Sequence, residues 1–149
     1  DLLFDLQKKP GNEWMDKNPE HVIAFLTSLF TAAHLTSRAS LLGIFLCLIN
    51  YPEVMKRVQE EVDDVIGTRR PTIKYRSSMP YTEATILESL RCVSQLPLCG
   101  FRLTSVDINF DGMTIPKNTQ ILTNNMYCFG DEKLWDDPGT FKPERFLDN

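Results

Sequence analysis

Apolar side chains recur every three or four residues along the first half of the chain. Between about Pro19 and Ile49 they follow the i, i+3, i+4, i+7 spacing of a helical face, which predicts one long helix of about 30 residues. Its second half, residues 41–49, is apolar all round, so we expect it to be buried on every side. The uninterrupted apolar run is too short to cross a bilayer and Arg38 precedes it, which favours a central core helix.

A second helix is predicted to begin at Pro52, because proline disfavours helix at the preceding residue and suits a first helical turn. Valines at helical spacing from Val54 onward form its apolar face, and Gly67 is a natural C-terminal cap. The polar and basic stretch from Thr68 to Ser78 is expected to be a connecting loop. A third helix is predicted from about Pro80 to Val93.

In the second half of the chain the apolar period changes to two. Alternating residues at 108–110 and 113–115 flank Asp111-Gly112, which is the strongest short-range signal for a β-hairpin. A further short strand is expected at 119–123, and the tail from Asp136 to Asn149 is expected to be an ordered meander. The predicted fold class is therefore mainly α with a small β-sheet.

Composition narrows the class of function. The 149 residues carry 16 Lys and Arg against 20 Asp and Glu, and a net charge of −4 argues against nucleic acid as a partner. The four cysteines form no C-x-x-C pair, so neither a zinc site nor a disulfide framework is indicated. Reduced thiols in an intracellular setting are therefore expected.

Glu88 and Arg91 stand three residues apart on the third predicted helix, on the face that carries Ala84 and Leu87. If that face is buried, the two charges must be paired, because an isolated buried charge costs several kcal/mol. A solvated pair worth a few tenths of a kcal/mol is the alternative, and these residues alone leave it open. Arg145 lies in a Pro-Glu-Arg-Phe motif, and contact with Glu88 would complete an Arg–Glu–Arg network.

Ala32 and Ala33 occupy the middle of the long helix, where two small side chains allow a bulky group to approach the backbone. The Thr36 hydroxyl is placed to bond back to the Ala32 carbonyl and loosen the helix. Packing of another helix against these small residues is the alternative. His34 has no second ligand at helical spacing, so a metal site is not indicated there.

These motifs occur in a particular order. The chain reads Ala-Ala-x-x-Thr-Ser, Tyr-Pro-Glu-Val, Val-Gln-Glu-Glu-Val, Met-Pro-Tyr-Thr-Glu-Ala, Glu-Ser-Leu-Arg, Asp-Gly-Met-Thr-Ile-Pro-Lys-Asn-Thr and Phe-Lys-Pro-Glu-Arg-Phe. In this order they resemble the cytochrome P450 family of haem-thiolate monooxygenases, in its microsomal, eukaryotic branch. The resemblance covers nearly the whole chain, with residues 1–20 the least specific. It implies that residues 1–149 are part of a single cytochrome P450 domain.

The resemblance implies a reaction. One oxygen atom of dioxygen would be inserted into an apolar organic substrate such as a lipid, steroid, hormone or xenobiotic. The implied cofactor is haem b (iron protoporphyrin IX), and electrons would come from NADPH through the partner NADPH–cytochrome P450 reductase. The implied location is the cytoplasmic face of the endoplasmic reticulum membrane, held there by an N-terminal anchor that this chain lacks.

The resemblance also implies roles for individual residues. Glu88, Arg91 and Arg145 would form a buried structural charge network behind the haem. Thr36 would be catalytic, since it matches a threonine that helps deliver protons to dioxygen at the haem. The cofactor-binding residues would be Arg102, at a haem propionate, with Ala32 and Ala33. The residues lining the substrate pocket would be Thr31, Leu96, Leu98, Cys99 and Phe101.

Two features depart from the family pattern. Leu35 stands where the family usually has an acid, and Ala33 replaces the usual glycine. A leucine does not relay protons, so a haem-thiolate isomerase or dehydratase acting on an already oxygenated substrate is an alternative function, and His34 would be a substitute relay in a monooxygenase. No cysteine has the Phe-x-x-Gly-x-x-x-Cys-x-Gly context, so the axial cysteine is expected beyond Asn149 and no iron ligand within this chain. A truncated, non-catalytic chain is the third alternative.

Overall fold

The computed structural model describes residues 8–11 and 19–147, and the chain divides into two compact units, residues 1–39 and 40–149. The helices are α1 (Pro19–Asn50), α2 (Pro52–Val65), α3 (Pro80–Val93) and α4 (Asn125–Gly130), with 3₁₀ turns at Ile73–Ser78 and Pro143–Phe146. The strands are β1 (Arg102–Leu103), β2 (Ile108–Phe110), β3 (Met113–Ile115) and β4 (Gln120–Ile121). The mainly helical class with small antiparallel sheets confirms the prediction.

The long helix α1 has the predicted bounds, but the prediction that its second half is buried on every side is wrong for this chain. Five large apolar side chains there are 57–72% exposed: Leu41, Leu42, Phe45, Leu46 and Ile49. The reason is that α3 packs against a single side of the helix, where a Cβ on Gly43 would lie only 2.8 Å from Cγ2 of Val93. Glycine at this position therefore permits the close approach of α1 and α3.

By length and composition, residues Glu20–Asn50 of α1 are apolar enough to cross a bilayer, which differs from the expectation drawn from the uninterrupted run alone. Two observations favour the core-helix interpretation. Arg38 lies within the span, and the side that carries Gly43 and Cys47 packs against elements of this chain.

The core of residues 40–147 lies where the end of α1, α2, α3 and the C-terminal meander meet. Its buried members are Val54, Tyr81 and Phe141, and Cys47, Leu48, Tyr51 and Val58 pack around them. The Tyr51 and Phe141 rings stack with centroids 4.6 Å apart. The described part of the tail is therefore ordered as predicted, because its aromatic residue is part of this core.

The helix ends follow the predicted signals only in part. Gly67, with φ +57°, follows α2 and donates its N–H to the Val62 carbonyl at 3.2 Å, as a C-terminal glycine should. The start of α3 is capped by Glu61 of α2, whose carboxylate accepts the N–H groups of Tyr81 at 2.9 Å and Thr82 at 2.7 Å. The loop expected at 68–78 contains a 3₁₀ turn in its second half.

The predicted hairpin is confirmed. β2 pairs antiparallel with β3, and Asp111 and Gly112 between them have φ of 50° and 76°, as a tight two-residue hairpin turn requires. The strand expected at 119–123 is shorter, because β4 pairs only with the two residues of β1. The register of that pair places Arg102 opposite Ile121.

Candidate functional site

A buried carboxylate with two arginines lies at the centre of residues 40–147. The Glu88 side chain on α3 has 0% of its surface exposed. Its Oε2 accepts Nε of Arg91 at 2.8 Å, and its Oε1 accepts Nη2 of the same guanidinium at 2.9 Å. Oε1 also accepts Nε of Arg145 at 3.0 Å and the backbone N–H of Lys142 at 2.9 Å. The structure thus brings Glu88, Arg91 and Arg145 together, and both carboxylate oxygens have partners.

The burial of this helix face follows the helical geometry. Ala84, four residues before Glu88, is 1% exposed, whereas Leu87 is 40% exposed. The expectation that Leu87 shares the buried face is wrong although it stands four residues before the buried Arg91, because the Leu87 side chain lines an open cavity beside Ile66 and Leu90. The arginine side chains are 4% and 8% exposed, so a solvated pair does not describe this site.

The two arginines also hold backbone carbonyls of the C-terminal meander. Arg91 Nη1 donates to the Phe129 carbonyl at 2.8 Å. Arg145 donates to the carbonyls of Asp136 at 2.8 Å and Thr140 at 2.9 Å. The network therefore fixes the path of the chain between 129 and 140 as well as neutralising its own charges.

Charge and burial oppose each other at Glu88. Burial by itself raises the pKa of the Glu88 carboxyl, but the hydrogen bonds from Arg91, the Lys142 N–H and Arg145 outweigh it and hold the pKa below the ordinary value. The hydrogen bond to Glu88 raises the pKa of the Arg91 guanidinium. Glu88 and Arg91 therefore remain ionised at neutral pH, which keeps their pairing charge-assisted.

Two further members of this site were missed by the sequence reasoning. The Trp135 ring lies 5.3 Å from the Arg91 guanidinium carbon, and its Nε1 donates to the Cys128 carbonyl at 2.9 Å. The other is the Lys142 N–H. Trp135 could have been suspected, because it lies in a tail rich in aromatic residues. The Lys142 N–H could not, because every residue except proline has a backbone N–H.

The cysteines nearest this network are neutral thiols. Desolvation of the sulfur and the negative charge of Glu88 raise the pKa of Cys92 to about 11. Burial likewise raises the pKa of Cys47. Within residues 8–11 and 19–147, no three His, Cys, Asp or Glu side chains are grouped so that they could hold a metal ion.

The residues predicted on α1 lie in the N-terminal unit and are exposed there. They are Thr31, Ala32, Ala33 and Thr36. The Thr36 hydroxyl donates to the Ala32 carbonyl at 2.9 Å, which confirms the predicted bond. Because the hydroxyl has one proton and two lone pairs, its oxygen retains acceptor capacity. The ring of His34 stacks on that of Phe30 with centroids 5.9 Å apart, and Leu35 is 55% exposed.

The remaining predicted pocket residues follow α3 in the second unit. Leu96, Leu98 and Phe101 are 56–65% exposed, and Cys99 is half-buried. The segment is anchored by its backbone, since the Cys99 N–H donates to the Thr123 carbonyl at 2.9 Å. The structure therefore presents three large apolar side chains outward from one anchored segment.

Arg102 begins β1, directly after this segment, and is exposed. Its Nη1 donates to the carbonyls of Phe101 at 3.2 Å and Gly100 at 3.4 Å. In the part of the chain that the structure describes, its Nε and Nη2 groups donate to no other atom. The fork is thus held near the backbone with donors left for a carboxylate.

Comparison with known proteins identifies the family. The sequence profile described as Cytochrome P450 matches residues 1–149. The chain belongs to the cytochrome P450 family. The resemblance recognised in the motifs is thereby confirmed, including its microsomal, eukaryotic character, since the matching proteins include members of the mammalian cytochrome P450 2D group.

The similarity extends over almost the whole chain but over a minority of each relative. The chain is 40% identical to cytochrome P450 2D6 of Homo sapiens and 37% identical to vitamin D(3) 25-hydroxylase of Sus scrofa, in both cases over 99% of this chain and 30% of the relative. A zebra fish cytochrome P450 structure with progesterone matches with a TM-score of 0.75 and 31% identity, over 82% of this chain and 29% of that one. The chain thus spans about 30% of the length of these curated relatives.

Membership of the cytochrome P450 family implies a haem cofactor. Within the second unit, Arg102 has guanidinium donors without a partner among the described residues, which suits a propionate of that group.

Proposed function

We propose that residues 1–149 are part of a single cytochrome P450 domain, in a protein that inserts one oxygen atom of dioxygen into an apolar organic substrate. The observation that carries the proposal is the match of the whole chain to this family. The buried contact of Glu88 with Arg91 and Arg145 supports it, because it joins the two motifs that define the resemblance. Haem b, when bound, supplies the activation of dioxygen.

We assign the charge network a structural role behind the haem. It ties α3 to the meander through a carboxylate that remains ionised, which fixes the position of one segment on the other. Arg102 would bind a haem propionate through its free donors. On the N-terminal unit, the small side chains of Ala32 and Ala33 would leave space beside the helix for a bulky group.

Thr36 is proposed as the catalytic residue that holds a proton-bearing group near dioxygen. Its hydroxyl proton is engaged by the Ala32 carbonyl, so its oxygen acts as an acceptor that orients a water or substrate hydroxyl. Leu35 supplies only apolar surface beside it. Proton delivery in a monooxygenase must therefore run through ordered water at Thr36 or through His34.

The substrate is proposed to be a compact apolar molecule. Cys99 and three exposed apolar side chains after α3 would line its pocket: Leu96, Leu98 and Phe101. One relative is named for 25-hydroxylation of vitamin D(3), and the zebra fish structure contains progesterone. Steroids and related lipids, hormones and xenobiotics are the classes we propose. Electrons would come from NADPH through NADPH–cytochrome P450 reductase, at the cytoplasmic face of the endoplasmic reticulum membrane.

The test uses the complete protein, reconstituted with that reductase, NADPH and either progesterone or vitamin D3. Under ¹⁸O-labelled dioxygen, a monooxygenase incorporates one labelled atom into the product. Unlabelled product, or product formed without NADPH, contradicts the proposal. Turnover of neither probe, together with no substrate-dependent NADPH consumption across a panel of drugs and fatty acids, also contradicts it.

A second candidate is a haem-thiolate isomerase or dehydratase, and the observation that favours it is Leu35. Such an enzyme rearranges an oxygenated substrate such as a lipid hydroperoxide and requires neither proton relay nor reductase. Conversion of a hydroperoxide in the absence of NADPH, with no reaction in its presence on progesterone or vitamin D3, would favour this candidate over the first.

A further inference from the structure

The loop between α2 and the first 3₁₀ turn concentrates positive charge. Residues 68–78 contain four basic residues and no acidic one: Arg69, Arg70, Lys74 and Arg76. Arg69 is engaged with α2, since its guanidinium donates to the carbonyls of Ile66 at 3.1 Å and of Val65. Arg70 makes no hydrogen bond or ion pair within residues 8–11 and 19–147. A free guanidinium therefore stands in the middle of this loop.

A hydroxyl acceptor follows the two arginines at a defined distance. Thr72 is two positions after Arg70 and three after Arg69. Its side chain is exposed and caps no N–H of the 3₁₀ turn that it precedes. Its backbone is extended, with φ −139° and ψ 158°. The hydroxyl thus lies on an extended, solvent-accessible strand of chain, the conformation that an enzyme cleft acting on a peptide segment needs.

The next residue adds an apolar anchor. Ile73 is 81% exposed, the highest exposure among the large apolar residues of the described chain. Ile73 lines the rim of an open cavity together with Ile66 and Leu87, and most of its side chain is left available to an apolar pocket in a partner. Residues 69–73 therefore form one exposed segment that contains, in order, two arginines, a spacer, a hydroxyl and an apolar residue.

We propose that Thr72 is a phosphorylation site for a serine/threonine kinase that selects arginines before its acceptor. Acidic side chains of such a kinase would pair with Arg70 and with Arg69 once it leaves α2, and an apolar pocket would take Ile73. The Thr72 oxygen attacks the γ-phosphorus of ATP, the bond from that phosphorus to the bridging oxygen of ADP breaks, and the hydroxyl proton passes to the kinase's catalytic aspartate. The products are phosphothreonine and ADP.

The other hydroxyls of the loop lack part of this arrangement. Ser77 and Ser78 lie within the 3₁₀ turn, and the residue after Ser78 is the buried Met79. Thr68 has no basic residue in the ten positions before it. Phosphorylation at Thr72 would add about −2 charge at neutral pH and would halve the positive charge of the loop.

The experiment treats the complete folded protein with ATP and the catalytic subunit of cyclic-AMP-dependent protein kinase, which has this selectivity. Peptide mass spectrometry then locates the phosphate. We expect one phosphate, on Thr72, and none in Thr72→Val. Arg70→Ala should lower the initial rate by about tenfold, because it removes one charge pair with the kinase. Ser78→Ala is the matched control and should leave the rate unchanged.

Three results would overturn the proposal. Phosphate located only at other residues would do so, as would a rate unaffected by Arg70→Ala. The third is phosphorylation of the threonine in a synthetic peptide of residues 66–78 but not of Thr72 in the folded protein, since the site would then be inaccessible in the native loop. Each readout is independent of the haem and of monooxygenase activity, so a failure of the function proposed above leaves this test intact.

Discussion

The Oε1 atom of Glu88 lies 3.0 Å from Nε of Arg145, although the two residues are 57 positions apart in the chain. This contact joins α3 to the turn at the end of the meander. It also accounts for how a short polar tail reaches a defined position, because a buried carboxylate that remains ionised binds it by charge as well as by packing.

Removal of the carboxylate should be costly. Glu88→Ala leaves Arg91 and Arg145 buried without a counter-charge, and we expect a loss of about 3–5 kcal/mol in the free energy of unfolding. Urea unfolding of the complete protein measures it. Glu60→Ala, an exposed member of an i,i+4 pair with Lys56 on α2, is the control and should change stability by less than about 0.5 kcal/mol. A loss of similar size in both variants would contradict the buried network.

The network should also set an acid limit to stability. The folded-state pKa of Glu88 lies below the ordinary carboxyl value of about 4.3, so the contribution of the ionised form is complete above that value. It is lost as the pH falls through the lower, folded-state pKa. The gap in unfolding free energy between wild type and Glu88→Gln should therefore be constant at neutral pH and narrow at acid pH. Urea titrations at stepped pH give this curve, and a gap that widens on acidification would reverse the assigned direction.

The close approach of α1 and α3 at Gly43 gives a prediction about packing. An added Cβ would lie 2.8 Å from Cγ2 of Val93, so Gly43→Ala should destabilise by about 1–3 kcal/mol despite the better helix propensity of alanine. In the background Val93→Ala the same substitution should become neutral or stabilising. Gly130→Ala, where an added Cβ meets nothing within 4 Å, is the control. Equal effects of Gly43→Ala in both backgrounds would show that Val93 is not the obstacle.

Leu35 offers a test of proton delivery. If the complete protein is a monooxygenase, Leu35→Glu places an acid next to Thr36 and should raise the product formed per NADPH consumed and lower the peroxide released. Among the described residues nothing buries this position, since Leu35 is 55% exposed there. Leu35→Gln, of the same shape without the acid, is the control. Unchanged coupling in a folded Leu35→Glu enzyme would remove position 35 from proton delivery and favour the isomerase candidate.

Apolar spacing and turn residues predicted those elements whose formation depends mainly on residues close together in the chain. The bounds of α1 and α3 follow from apolar spacing, and Asp111-Gly112 marks the hairpin because only such residues take positive φ readily. The short helix α4 was not predicted, since its cap is a single acceptor, the Asn124 side chain on the Tyr127 N–H at 3.1 Å.

Long-range partners were predictable only through the family resemblance. The spacing of Glu88 and Arg91 left a solvated pair open, and nothing local indicates that Arg145 reaches them. The Lys142 N–H and the Glu61 cap of α3 had no signal, because a backbone donor has no residue type and Glu61 acts on a different helix. The burial of residues 41–49 was overestimated. Their apolar side chains favour burial, but a helix is buried on every side only where other elements pack on each side of it.

The bonds from Arg91 and Arg145 end on carbonyl oxygens of Phe129, Asp136 and Thr140. Every residue type carries a carbonyl, so these attachments do not depend on which side chain occupies those positions. The meander can therefore accumulate substitutions at its attachment points without losing its course, while the three charged residues that hold it cannot change independently. Substitutions should therefore be tolerated at residues 129, 136 and 140, whose carbonyls accept these bonds. They should not be tolerated at Glu88, Arg91 or Arg145.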